Sequence, residues 1–377
     1  MNKESQKEEI KFINYKKYII IISSLAVFLI IFNLMYRCNI IFATNFSDNI
    51  YKKISTLFGA IFSIFPFSIF EILLIAAILL GLFSIGRLIY YGIKYHEKGK
   101  IFRFKYRLKK TLLNLVCIIL ACLNVYSLNC GVNCFRLSFA ACNNIITKPH
   151  STDDLKELAI ILIDKANDLS SEIATDSFGN FTMNNNAAEK HSVKAMKALS
   201  KKYPCLKDIY FEPKPIIFSE FMSMTLTMGY FAPYTVEATY NKNMPDIEIP
   251  FTLCHELAHT SGFMLEDEAN FIGFLACINY DNPNFQYSGI LGVMSYVLND
   301  LYDAVSAEEY KEIVSNFNTQ VRTDINRQNS YWSKYQDNKI GKVANTVYEG
   351  YLATTGQPNG LSTYGKVTDL LLAYYID

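Results

Sequence analysis

Histidine is scarce in this chain of 377 residues, five in all, and the formal net charge is only +1. A chain without a basic surplus has little with which to displace counterions from phosphates, so nucleic acid is not an expected partner. No internal repeat is evident, which argues against a solenoid or propeller. Cys130 and Cys134 are four residues apart, but no second Cys or His pair follows at zinc-finger spacing, so a structural zinc there is not expected. The first long apolar run lacks a convincing small-residue cleavage site and two more runs follow it, which argues for a retained helix and against a removable secretory signal.

What the chain has in quantity is apolar sequence, 51% of its residues. Residues 18–36, 67–90 and 111–128 each approach the roughly 20 residues that a transmembrane helix needs. Nine cations from Arg87 to Lys110 lie around the connection between the second and third runs, whereas residues 37–66 hold three, so the second connection is expected on the cytoplasmic side. Three crossings then put the N-terminus, with Lys3, Lys7, Lys11, Lys16 and Lys17, inside and everything after residue 130 outside. Charge divides the chain at the same point. Residues 1–130 carry 17 Lys and Arg against 6 Asp and Glu, and residues 131–377 carry 19 against 29. At a membrane surface the basic part reads as contact with anionic lipid. Glu71 and Arg87 bracket the second run and read as snorkelling anchors, and residues 54–65 read as a short helix on the outer leaflet.

The most informative stretch is His255-Glu256-Leu257-Ala258-His259. Residues four apart on a helix differ by about 40° in azimuth, so both imidazoles can reach one Zn²⁺, while Glu256 is rotated by about 100° toward a water on the metal. Zn²⁺ lowers the pKa of such a water to roughly 7, and Glu256 is the natural general base. Pro250 suits a first helical turn, and Gly262 suits a left-handed cap after the helix. The third protein ligand must come from elsewhere. Glu266, Asp267 and Glu268 follow, with Glu266 favoured because Asn270 lies one turn on, Glu268 in reserve and Asp267 last.

This pair of motifs, HExxH followed by Glu266-x-x-Ala269-Asn270, resembles the gluzincin metallopeptidases. The resemblance implies a zincin-like α+β domain in which His255, His259 and Glu266 are the zinc ligands, Glu256 the base and Asn270 the residue that orients a ligand histidine. The six residues between His259 and Glu266 are fewer than in most gluzincins. The whole chain also resembles an uncharacterised bacterial family of three-span membrane proteins with a C-terminal HExxH domain. That likeness runs through Pro66-Phe67-Ser68, Gly131-Val132-Asn133, Lys214-Pro215, Phe231-Ala232-Pro233-Tyr234-Thr235 and Ser362-Thr363-Tyr364-Gly365.

The expected fold is therefore mainly α with a small β element: a membrane domain over residues 1–130 and an extracytoplasmic metallopeptidase domain over residues 131–377. Ser151 caps an amphipathic helix through Leu155, Leu158, Leu162 and Ala166, and an Asn-rich loop at 180–186 leads to a second helix at 187–202. Residues 215–240, rich in Thr, Tyr, Phe and Met, suit two or three short strands, one of which could pair with an extended peptide. Helices are expected over 287–302, 307–328, 339–354 and 364–375. Tyr234, Arg322 and Tyr364 are candidates for stabilising an oxyanion, Tyr364 first, whereas His150 and His191, the other histidines on the outer side, sit in no motif. Cys117 and Cys122 fall in the third run and Cys254 adjoins His255, with its thiol expected to turn away from the metal. Six further cysteines fall on the outer side, and their pairing is open. The expected partners are a peptide or protein substrate at the cell envelope and membrane lipid. A non-catalytic envelope or assembly protein with a structural or lost metal site, or a cell-wall amidase, is the alternative.

Overall fold

The architecture is that of a computed structural model, which describes residues 14–97, 101–336, 338–354 and 364–376. Along the chain, α1 (Tyr15–Cys38) is followed by α2 (Ile40–Phe46), a π turn at Ser47–Tyr51 and α3 (Lys52–Phe62). Two long helices come next, α4 (Ile69–Glu97) and α5 (Ile101–Asn129). Helices α1, α4 and α5 are long and apolar enough to cross a membrane. The third apolar run extends ten residues N-terminal of its expected start, because Arg103, Lys105, Arg107, Lys109 and Lys110 are good helix formers and continue the same helix. Lys3, Lys7, Lys11, Lys98, Lys100, Ser362 and Thr363 lie outside the described residues.

The chain divides into two compact units. The first comprises Met1–Leu34 and Ile72–Ser127. Within it, Asn124 Nδ2 donates to Leu25 O at 3.1 Å and Asn33 Nδ2 to Ser127 Oγ at 2.8 Å, tying α1 to α5 through polar groups in an apolar setting.

The second unit comprises Met35–Glu71 and Leu128–Asp377. A boundary at residue 130 leaves residues 35–71 with the apolar runs, whereas their contacts lie with the C-terminal part. Tyr51 and Ser55 bring hydroxyls to the carbonyls of His259 and Thr260, at 3.4 and 2.8 Å. Arg136 donates to Ser47 Oγ at 2.7 Å and Asp48 Oδ1 at 2.9 Å, with its guanidinium 4.2 Å from the Phe263 ring. Such isolated polar positions leave hydropathy almost unchanged. Glu71 also differs from its expected role. It is buried, and its two oxygens accept the amides of Ile217 and Phe218 at 2.9 Å each, so it anchors a loop of the second unit.

After α5 come α6 (Phe139–Cys142), α7 (Thr152–Leu169) and α8 (Asn185–Lys202). Ser151 and Asp154 close a capping box at the start of α7, as Ser151 and Thr152 ahead of an acidic turn lead one to expect. Residues 214–240 form β1 (Lys214–Pro215), a short helix α9 (Ser219–Met224), β2 (Gly229–Ala232) and β3 (Glu237–Tyr240). The sheet order is β1-β3-β2, with β1 parallel and β2 antiparallel to β3, so β2 is an edge. Among the described residues seven helices follow: α10 (Ile249–Thr260), α11 (Glu266–Ile278), α12 (Pro283–Ala304), α13 (Ala307–Val314), α14 (Thr319–Ser333), α15 (Lys339–Thr354) and α16 (Tyr364–Tyr375). The single helix expected over 307–328 is two, because the Asn318 side chain accepts the Val321 amide and starts a new helix there. None of the nine cysteines is in a disulfide.

Helix α10 runs through the centre of the second unit. Leu253, Cys254, Leu257 and Ala258 are fully or almost fully buried, and α11 and α12 cover it with Phe271, Phe274, Phe285 and Ile290. A helix apolar on nearly every side is a core helix, so the few polar groups it carries are held rigidly.

Glu248, the residue just before α10, is one of these. Its carboxylate accepts Trp332 Nε1–H at 2.9 and 3.0 Å, and burial pushes its pKa up to about 7 despite those donors. The folded state therefore keeps the proton over a range where the unfolded chain has lost it, so stability falls as pH rises from about 4.5 to about 7. Glu248→Gln should flatten this part of the profile, which amounts to a few kcal/mol at most. Melting of both proteins at pH 5 and pH 8 checks it, and an unchanged pH difference in the variant would remove Glu248 as its source.

Candidate metal centre

Five residues of α10 and the first of α11 build the site. Gly262 follows α10 with φ of +89°, a left-handed conformation that suits glycine, and it lets the chain double back so that the start of α11 faces the end of α10. A side chain at Gly262 would also meet Ser47 Oγ at 2.8 Å. The reversal puts His255, His259 and Glu266 together, with one donor atom from each lying within 4.8 Å of the others.

His255 Nε2 and His259 Nε2 are 3.1 Å apart, and Glu266 Oε2 is 3.2 Å from His255 Nε2 while its Oε1 is 3.9 Å from His259 Nε2. A tetrahedral Zn²⁺ with bonds near 2.0–2.1 Å separates its ligand atoms by about 3.3 Å, which the two imidazole nitrogens and the nearer Glu266 contact match while the His259–Glu266 separation is wider. The chemistry of the set fits as well: two imidazoles and one carboxylate are the three protein ligands of an open, catalytic type of zinc site. The His259 Nδ1–H donates to Phe263 O at 2.8 Å, a tautomer that leaves the Nε2 lone pair directed at the cluster. Asn270 approaches the His255 ring without closing a hydrogen bond to Nδ1, and its Nδ2 donates to Tyr296 at 3.0 Å. Asn270 is thus beside the histidine that the gluzincin resemblance would have it orient.

Glu268, the reserve ligand, points elsewhere. Its Oε1 accepts the Phe139 amide at 2.6 Å, and burial, with Asp267 beside it, pushes its pKa up to about 8. Glu266 keeps the more open position, its side chain 31% exposed, so the cluster is reachable from that side.

Glu256 is buried on the same helix. Burial pushes its pKa up to about 8, with Glu266 adding to the rise and His255 opposing it. Burial also lowers His259 to about 4, against the attraction of Glu266. For His255 burial again disfavours the charge, but Glu266, Glu256 and Asn270 outweigh it and the pKa is raised. The Oε2 atom of Glu256 has no hydrogen-bond partner among the described residues, an arrangement that costs about 1–3 kcal/mol in a purely structural setting. Its other face meets Gly229 on β2, where an added Cβ would fall 2.2 Å from Oε1. The missing side chain at 229 is what gives the carboxylate its room.

Of the oxyanion candidates, Arg322 and Tyr234 have partners of their own, as have His150 and His191. Arg322 donates to the carbonyls of Phe317 and Ser315, His150 lies 3.6 Å from Asp154, and His191 is bonded to Tyr280 at 2.6 Å. Tyr234 stacks on Phe70 at 6.0 Å between ring centroids. The Tyr364 side chain lies outside the described residues. Sequence reasoning passed over Tyr51, Ser55, Phe263 and the role of Gly229. Only Gly229 left a signal, as a glycine at the start of a strand.

A family model described as "Protein of unknown function (DUF3810)" matches residues 46–372. The chain belongs to that family. The match begins within the segment between the first two long apolar helices and so takes in Tyr51 and Ser55. No curated protein and no solved structure matches the chain.

Proposed function

We propose that the protein is a membrane-anchored, zinc-dependent metallopeptidase whose second unit is a zincin-like α+β domain on the extracytoplasmic side. His255, His259 and Glu266 would hold Zn²⁺, and Glu256 would be the general base. The observation that carries the reading is the donor cluster itself, one ligand atom from each of three residues within 4.8 Å of the others, with a buried carboxylate beside them that has one oxygen unpartnered among the described residues. The Lys and Arg distribution around the apolar runs supports the sidedness.

When bound, Zn²⁺ supplies Lewis acidity, which acidifies water and polarises the scissile carbonyl. The chain's own groups do the rest. Glu256 Oε2 is the atom available to take a proton and return it to the leaving amine. Phe263 O fixes the ring of His259, and the bonds of Tyr51 and Ser55 to the last turn of α10 hold that turn against movement. The edge strand β2, with Gly229 against Glu256, supports a peptide as substrate, because an extended chain can add to a sheet edge beside the base.

Zinc analysis of the full-length protein in detergent, alongside His259→Ala, tests this. About one zinc per wild-type chain and less than about a tenth of that in the variant, at unchanged helical content, is the expected result. Equal zinc in both proteins would remove the site.

A further inference from the structure

Gly229, whose backbone touches the Glu256 carboxylate, is followed on β2 by Tyr230, and the Tyr230 ring lies 5.6 Å from that of Phe70. Phe70 is the second residue of α4, one of the helices long and apolar enough to cross a membrane. Three further ties connect this hairpin and the loop after β1 to the ends of such helices. The Ile69 and Phe70 amides donate to the two oxygens of Glu237, the first residue of β3, at 3.1 and 2.8 Å. Glu71 accepts the amides of Ile217 and Phe218. Asn129, the last residue of α5, donates to Pro233 O at 2.8 Å, in the turn that joins β2 to β3. These are direct hydrogen bonds with no spacer, so the hairpin lies against the first residues of α4 and the last residue of α5.

The surface around these ties is apolar. Ile64, at 75% exposure, and Phe65 precede α4, and Ile217, Phe218 and Phe221 are exposed beyond the backbone that Glu71 holds. The two stretches are joined, since Lys214 Nζ donates to Phe62 O at 2.6 Å and the Phe211 ring packs on Gly59. An apolar patch of this kind, next to helix ends and to the stacked Phe70, Tyr230 and Tyr234 rings, matches the headgroup region of a bilayer, where aromatic side chains gather.

We propose that the second unit seats this patch in the bilayer interface, holding the metal centre at the membrane surface, and that its substrates are polypeptide segments within a few residues of a membrane anchor. The substrate assignment rests on the peptidase reading. A tethered substrate in the same bilayer already has the high local concentration that a soluble peptide must reach by diffusion. The peptide edge of β2 adjoins the base at one end and the interface aromatics at Tyr230, so a chain emerging from the membrane meets the site without a long linker.

Two readouts on the full chain in vesicles test the parts separately. Phe218→Trp and Tyr302→Trp are made in a Trp332→Phe background and reconstituted with lipids brominated near the headgroup. Quenching of more than half at position 218 and less than a tenth at the solvent-exposed position 302 is expected; no quenching at 218 overturns the seating, whatever the activity. If Trp332→Phe does not fold, the same contrast is read as the increment over native Trp332. The second readout uses a degenerate fluorogenic peptide library, supplied free or on a palmitoyl anchor with spacers of three or twenty residues. Zinc-loaded protein should cleave the short-spacer form at least ten times faster than the free form, with the Glu256→Gln variant inactive. Equal rates for the free and short-spacer forms overturn the substrate assignment alone. Cleavage of none of the forms counts against the peptidase reading and takes the substrate assignment with it.

Discussion

Glu256→Gln should lower peptide hydrolysis by about 10²–10⁴-fold, the usual contribution of a positioned general base, while zinc content stays at the wild-type level. The substitution keeps the shape that fits against Gly229 and changes only what the group can do with a proton. An amide is not basic, so it cannot take the proton that Oε2, the oxygen without a partner among the described residues, is placed to take. Zinc analysis and initial rates on the anchored peptide library separate the outcomes. Loss of both zinc and rate would mean that the residue shapes the metal site; retention of both would mean that another group is the base, and no hydrolysis by either protein would favour a non-catalytic envelope protein. In cells, membrane proteomes of a Glu256→Gln strain and its parent should differ by uncleaved substrates that accumulate in the variant.

The donor cluster was legible in the sequence because its spacing is local. His255 and His259 are one helical turn apart, and Gly262 announces the reversal that brings Glu266 back to them. Choosing Glu266 over Glu268 was also within reach, since Asn270 is one turn from the former. The long apolar helices and the Ser151 cap were legible for the same reason, being short-range periodic signals. What escaped was set by contacts between residues far apart in the chain. Ser55 and Thr260 are 205 positions apart, and nothing in a polar residue on an amphipathic stretch says which carbonyl it will meet. Glu71 looked like an anchor because the sequence has no way to announce the Ile217 and Phe218 amides that claim it. The break between α13 and α14 had a local signal, Asn318, hidden inside an otherwise continuous helical period.

Glu237→Ala should be the most destabilising single change outside the metal cluster. The carboxylate is buried and takes four donors: the Ile69 and Phe70 amides, Thr235 Oγ1 at 2.8 Å and Lys214 Nζ at 2.6 Å. Removing it strands a buried ammonium, whose remaining acceptor is Phe62 O, and leaves the first amides of α4 without their acceptor. Breaking one side of a buried ion pair costs about 3–5 kcal/mol, and a unit of this size loses roughly 2–4 °C per kcal/mol, so a fall in Tm of about 10 °C is expected. A thiol-reactive dye reads it directly, because Cys254 and Cys277 are fully buried until the core opens. Lys214→Met with Glu237→Leu should recover part of the loss, since no charge is left unpaired, but not all, since the α4 amides stay unmet. Zinc content should hold in both variants: Leu257, Phe271 and Phe274 pack α10 against α11 independently of Glu237. A Glu237→Ala protein melting within about 2 °C of wild type would mean that water reaches these groups and that the tie between the hairpin and the start of α4 is weak.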